Sequence, residues 1–166
     1  MTTSLPTTLP GVTIRPLGGA DAAELHTLIT ANRDHLTRNG DFGDLVAEDR
    51  SGIEKMLRRD DVAGFLFGVF DGDRLAGVVS LVPVAPPKYG CGYWLAASAT
   101  GHGLATEALR SLVMYARDAW VATDIFAGVT HGNASSIAVL ERVGFTRSEE
   151  FETYSRFHLS LDRRVT

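Results

Sequence analysis

The sequence predicts a mixed α/β fold (α+β by some schemes): a mixed sheet with helices on its faces. Three observations predict it. Short runs rich in Val, Leu and Phe alternate along the chain with segments whose apolar residues recur every three or four positions. Two of the strand-like runs are joined by "DGDR", whose Asp-Gly step is a hairpin signal. The length, 166 residues with 45% apolar, suffices for one globular domain over 1–166 but not for two ordinary ones.

Residues 1–10, rich in Thr, Pro and Ser, are expected to be loose. "VTIRPL" alternates Val12 and Ile14 and stops at Pro16, as an edge strand would. Asp21 and Glu24 have capping-box spacing, and Leu25, Leu28, Ile29 and Leu36 follow at helical spacing as one helix. After the polar "RNGDFGD", Ile53, Met56 and Leu57 share the face of a second helix.

"GFLFGVF" and "LAGVVSLVPV" then form an antiparallel pair of strands, and a short strand, "CGYWLA", follows "APPKYG". Leu109, Leu112, Val113 and Ala116 mark the next helix, "DIFAGVT" a strand, and "NASSIAVLERVGF" a helix closed by Gly144 in the left-handed conformation. The stretch "SEEFETYSRFHLSL" reads as one or two antiparallel strands. The order is thus β α α β β β α β α β.

Charge and composition narrow the function. A formal charge of −4 offers no basic surplus for a phosphate backbone, so a nucleic-acid partner is not expected, and a cationic acceptor suits it better. The lone Cys91 excludes an intrachain disulfide and a cysteine-based metal site. His26, His131 and His158 lack companions at metal-ligand spacing, so no metal site is expected. With no apolar run near the ~20 residues a span needs, and no signal-like start, no membrane partner and a cytoplasmic location are expected.

The most informative stretch is "SATGHGLATEALRSL", where glycines directly precede a helix. A helix N-terminus leaves backbone N–H groups without intrahelical partners and carries partial positive charge. With Gly101 and Gly103 before it, such an end can wrap a phosphate. No Gly-Lys-Ser/Thr follows, which excludes a Walker A loop. A dinucleotide fingerprint is opposed by Thr106 in place of the third glycine, and by Asp124 lying before its strand rather than after it. Taken alone, the stretch reads equally as a plain turn.

A second motif changes that reading. Thr100, Gly101, His102, Gly103, Leu104 and Ala105 align with a Gln/Arg-x-x-Gly-x-Gly/Ala pattern opening a helix after a strand. Asn133, Ser136, Gly144 and Phe145 match Asn-x-x-Ser with a closing Gly-Phe. Together these motifs resemble the GNAT superfamily of acyl-CoA-dependent N-acyltransferases, and most closely the Rim-type branch that acetylates N-terminal residues of ribosomal proteins.

The resemblance implies the GNAT fold, a mixed, mostly antiparallel sheet of about seven strands sandwiched by helices, with acetyl-CoA (coenzyme A) as cofactor. Its pyrophosphate would be held by backbone N–H groups of Gly101, His102, Gly103, Leu104 and Ala105, with Thr100 and Thr106 flanking them. The pantetheine would lie along Tyr93, Trp94 and Leu95, beside a bulge that splays this strand from its neighbour. The Leu95 N–H would face the thioester carbonyl and stabilise the oxyanion. Asn133 would hydrogen-bond the pantetheine arm and Ser136 would protonate the departing thiolate. Asn133 reads equally as a plain N-cap, and Ser135 competes with Ser136. The family also suggests a homodimer.

Two departures stand out. The usual Gln or Arg is Thr100, for which His102 is either a partial substitute or an ordinary loop residue. Where relatives often carry Glu, as a base reached through water, stands Gly90. Cys91, next to it, reads as a core residue.

An acceptor that is already partly neutral needs less help from a base, which favours a protein or peptide N-terminal α-amine. Asp41, Phe42, Asp44, Glu48 and Asp49 form an acidic wall free of Lys and Arg, which reads either as a steering surface or as a solvated loop. His35, in a histidine-leucine pair typical of the branch, lines the acceptor pocket or the helix surface. The expected activity is direct attack by a primary amine in a ternary complex. Alternatives are a small-molecule or antibiotic N-acetyltransferase, a non-catalytic acyl-CoA sensor, and a nucleotide-binding α/β protein.

Overall fold

The computed structural model describes residues 4–161. Seven strands form one sheet: β1 (Val12–Pro16), β2 (Leu66–Asp71), β3 (Arg74–Ala85), β4 (Lys88–Leu95), β5 (Asp124–Thr130), β6 (Thr146–Glu150) and β7 (Tyr154–Ser160). Their order is β1-β2-β3-β4-β5-β7-β6, and among them only β4 and β5 run parallel. The strand that stops at Pro16 is indeed an edge, where a missing N–H costs no ladder bond.

Six α-helices cover the sheet: α1 (Ala22–Ala31), α2 (Arg33–Thr37), α3 (Gly43–Ala47), α4 (Arg50–Leu57), α5 (Leu104–Ala119) and α6 (Ala134–Val143). Side chains alternate across each strand, so the sheet has two apolar faces and two cores. On one, Leu109, Leu112 and Ala116 of α5 and Leu140 of α6 pack on Val79, Leu81, Ile125 and Phe157. On the other, Leu25, Ile29, Leu36, Ile53 and Leu57 pack on Val78 and Trp94. Burying each such side chain contributes about 1.5–3 kcal/mol, so the two layers hold the sheet from both sides.

The structure corrects four local expectations. The helix expected to run through Leu36 breaks at Asn32, whose Oδ1 accepts the Ala97 N–H at 2.9 Å while its Nδ2 donates to the Leu28 carbonyl at 2.8 Å. A tertiary tie outcompetes helical continuation there. Asp21 is not the first residue of a capping box: its carboxylate accepts the Gly18 N–H at 2.8 Å and pairs with Arg15 at 2.9 Å. Glu24 reaches across to the Leu75 N–H.

Residues 4–10, expected to be loose, are tied down. Leu5 is buried and bridges to Ile14, and Thr7 and Thr8 donate to the buried Glu107 carboxylate of α5. The strand expected to begin at Cys91 starts at Lys88, because Lys88–Gly90 is the segment that pairs with β5.

Candidate active site

The site is built where the sheet opens. β4 pairs with β5 only at Lys88, Tyr89 and Gly90, opposite Asp124, Ile125 and Phe126; beyond Gly90 the two strands part. The bulge implied by the resemblance is not what parts them. The β3–β4 register runs unbroken from Gly77 opposite Leu95 to Pro83 opposite Tyr89, and its one shift lies at Pro83/Ala85. The divergence comes from the end of β4–β5 pairing.

Into that gap β4 turns part of its backbone. The Ala96 N–H donates to the Ala76 carbonyl at 2.8 Å, which makes those two residues a hydrogen-bonded pair. Antiparallel pairs alternate, so Leu95 opposite Gly77 sits in a non-hydrogen-bonded pair, with its N–H and C=O directed away from β3. The Leu95 carbonyl meets His35, whose Nε2 lies 3.1 Å away. Gly77 permits this close approach: a Cβ there would lie 2.3 Å from the Trp94 carbonyl oxygen.

The gap opens into a groove of about 1200 Å³ that passes from the α1–α2 side through the sheet to α5 and α6. At its α5 end, Gly101 (φ 81°) and Gly103 (φ 79°) adopt the left-handed conformation, and space is open where a Cβ would stand. No side chain caps α5 at Gly103. Its first-turn N–H groups therefore keep their donors for something else. The residues fit a pyrophosphate: orphan donors, the positive end of a 16-residue helix, and no side chain in the way.

Thr100 turns its hydroxyl back to the Ala97 carbonyl at 2.8 Å, so it supplies the groove wall rather than a long donor. Leu104, Ala105 and Thr106 also line the groove. His102 does not: it is exposed and faces a smaller cavity of about 330 Å³ beside Leu9 and Pro10.

On the opposite wall stands α6. Asn133 caps it, its Oδ1 accepting the Ser136 N–H at 3.3 Å and the Ser135 hydroxyl at 3.1 Å. The cap uses only the side-chain oxygen, leaving the amide N–H groups as donors. Ser136 lines the groove half-buried, and its carbonyl accepts the Tyr93 hydroxyl at 2.9 Å. Burial pushes the Tyr93 phenol up to about 12 and the Cys91 thiol likewise to about 12, so neither is an anion at neutral pH. Sequence reasoning missed Tyr93 as the strut that bridges the gap, because a strand aromatic looks the same whether it packs or spans.

Of the acceptor-side residues, His35, Asp41 and Phe42 line the groove, while Asp44 is exposed and outside it. Asp41 accepts the Thr130 hydroxyl at 2.7 Å, which ties the loop before α3 to the end of β5. Phe42 has φ 61°, a left-handed conformation that sets its ring at the groove rim with 38% exposure. Gly90 has ordinary room around it, its absent Cβ 3.6 Å from that of Val82. Among the described residues no three His, Cys, Asp or Glu side chains lie together as metal ligands, and no helix is long and apolar enough to cross a membrane.

A sheet split between β4 and β5, with a helix N-terminus that no side chain caps at one end of the groove, leaves room for an extended ligand between the two strands. The chain belongs to the GNAT acetyltransferase family, whose domain matches residues 12–146. It is an N-acetyltransferase that takes its acetyl group from acetyl-CoA.

It is 34% identical over 142 residues to YjcK of Bacillus subtilis (strain 168), described as "Probable N-acetyltransferase", covering 80% of this chain and 78% of that one. Its fold is similar to RimL, a ribosomal L7/L12 alpha-N-protein acetyltransferase in complex with coenzyme A, with TM-score 0.85, 18% identity, and 96% and 99% of the two chains covered. It is also similar to the ribosomal-protein-S5-alanine acetyltransferase of Vibrio fischeri, with TM-score 0.86, 19% identity, and 97% and 98% covered.

Proposed function

We propose that the acceptor is the α-amine of a protein or peptide N-terminus, which attacks acetyl-CoA directly in a ternary complex in the cytoplasm. One observation carries this reading: both carboxylates that line the groove are already hydrogen-bonded or ion-paired to another side chain. Among the described residues its lining acids are Asp41, engaged by Thr130, and Asp61, paired with Arg59 at 2.6 Å. An α-amine is already roughly 10% neutral at pH 7, whereas a lysine amine is roughly 0.04% neutral. A groove whose carboxylates are already engaged therefore suits the first better than the second. RimL is described as an alpha-N-protein acetyltransferase of ribosomal L7/L12 and the Vibrio fischeri protein as a ribosomal-protein-S5-alanine acetyltransferase, both of which agree with a protein acceptor.

In this reading, N–H groups from Gly101 to Ala105 hold the pyrophosphate, and the backbone of Tyr93, Trp94 and Leu95 pairs with the pantetheine as with an extra strand. The Leu95 N–H stabilises the oxyanion. Asn133 donates its amide to the pantetheine arm, and the Ser136 hydroxyl protonates the leaving thiolate. Asp41 and Phe42 receive the cationic acceptor and the side chain that follows it.

The test is thiol release from acetyl-CoA across N-terminal peptides, aminoglycosides and polyamines, with calorimetry of acetyl-CoA alone as a control. Turnover with peptides is expected. Turnover confined to the small amines would replace this acceptor with an antibiotic or metabolite, and binding without turnover on any class would favour a sensor.

A further inference from the structure

We propose that His35 is the general base of the reaction, taking the acceptor's proton on Nδ1 while its Nε2–H is held by the Leu95 carbonyl; this rests on the N-acetyltransferase reading of the same groove. The assignment starts from one contact. A carbonyl oxygen only accepts, so at 3.1 Å the His35 Nε2 must be the donor. A neutral imidazole with its proton on Nε2 carries its lone pair on Nδ1. That nitrogen has no partner among the described residues, and His35 stands half-buried in the groove wall.

The partner carbonyl is the second element. Along a strand edge the N–H and C=O of one residue point the same way, so the Leu95 groups share the gap between β4 and β5. An imidazole fixed on the Leu95 carbonyl is thereby placed next to the Leu95 N–H that faces the thioester oxygen. Two ties hold it there: Asn32 grips the Ala97 N–H at 2.9 Å just before α2, and Leu36, next to His35, is buried in the core. This is the orienting logic of a catalytic triad, with a backbone carbonyl in place of the carboxylate.

The third element is Gly90, which leaves the carboxylate position without a side chain. Histidine is the side chain suited to exchanging a proton near neutral pH, and an α-amine titrates close enough for that exchange to be productive. The step balances as follows. Nδ1 accepts one proton from the ammonium, directly or through one water, and passes it to solvent. The freed nitrogen bonds to the thioester carbon, the C–S bond breaks, and the second nitrogen proton ends on the thiolate by way of Ser136.

Charged and titratable residues next to His35 in the chain are Arg33, Asp34 and Arg38, the last just past the end of α2; those that line the same groove are Arg38, Asp41, Asp61, Cys91, Tyr93 and Arg142.

Two variants separate proton transfer from positioning. Glutamine reproduces the Nε2–H donor to Leu95 but has no basic nitrogen; alanine removes both. We expect H35Q to keep the wild-type melting temperature and acetyl-CoA affinity, yet to lose roughly 10²-fold in kcat/KM on a peptide acceptor at neutral pH. Its deficit should narrow as pH rises and the acceptor deprotonates unaided. If H35Q turns over like wild type with an unshifted pH profile while H35A is impaired, His35 only positions Leu95 and the proposal falls.

Wild-type turnover judges the acceptor reading, and the variants judge His35. Should no peptide react, ¹⁵N-histidine spectra of the acetyl-CoA complex still decide. A neutral ring protonated on Nε2 supports the proposal; a proton on Nδ1 at neutral pH overturns it.

Discussion

Gly103 combines two requirements that only a glycine meets. Its φ of 79° is a conformation that costs a non-glycine residue about 1–2 kcal/mol, and the space beside it is open, where the proposed binding mode brings phosphates to the α5 N–H groups. Gly103→Glu adds strain, bulk and a negative charge at that point. The expected result is acetyl-CoA binding weaker by about tenfold or more, comparable to losing one charge-assisted hydrogen bond. Calorimetry checks this, and unchanged affinity would move the phosphates elsewhere. The left-handed turn at this residue was legible in the sequence, because glycines directly before a helical period signal positive φ. His102 was not legible: alternation on a loop does not say which side a ring takes, and here it faces the smaller cavity.

The gap between β4 and β5 is a property of the elements. The motifs located both of its walls, α5 after the glycines and α6 after Asn133, and the strands flanking them follow from Val, Ile and aromatic content. Three features escaped because they depend on partners distant in sequence. The Asn32 break answers to Ala97, Tyr93 spans to Ser136, and Gly77 is demanded by the Trp94 carbonyl.

Gly77 makes the sharpest prediction at this scale. Gly77→Ala would put a methyl group 2.3 Å from a backbone oxygen, so β4 must shift. A loss of about 1–3 kcal/mol in stability is expected, as for other overpacked sites. Turnover should fall further than acetyl-CoA affinity, because Leu95 moves while the α5 end stays. Equal kinetics with wild type would show that the Leu95 position is not set by this contact.

At the scale of the whole molecule, the segment before β1 fastens onto α5, the helix proposed to hold the cofactor. Glu107 of α5 is 7% exposed and accepts from Thr8 N–H and from the Thr7 and Thr8 hydroxyls. Burial alone would raise its carboxyl, but the Thr8 and Thr7 hydrogen bonds hold it below the ordinary glutamate value. A carboxyl lowered on folding contributes stability above its unfolded pKa and loses it as pH falls through the folded value.

Glu107→Gln should therefore cost about 1–3 kcal/mol at pH 7. The difference from wild type should shrink as urea titrations are carried down through the carboxylate range. A pH-independent difference would mean that the ionised form is not what holds the segment. Composition concealed this anchor, since a Thr- and Pro-rich start reads as loose until the buried carboxylate that collects its donors is seen.

The account as a whole rests on a groove that presents acetyl-CoA to a low-pKa amine. It is tested most directly by locating the acetyl group on a peptide that carries both a free α-amine and an internal lysine, by fragment mass spectrometry after limited turnover at pH 7. Acetyl confined to the N-terminal nitrogen is the predicted result. Acetyl on the lysine side chain would contradict it, because at pH 7 that amine is only roughly 0.04% neutral against roughly 10% for the α-amine.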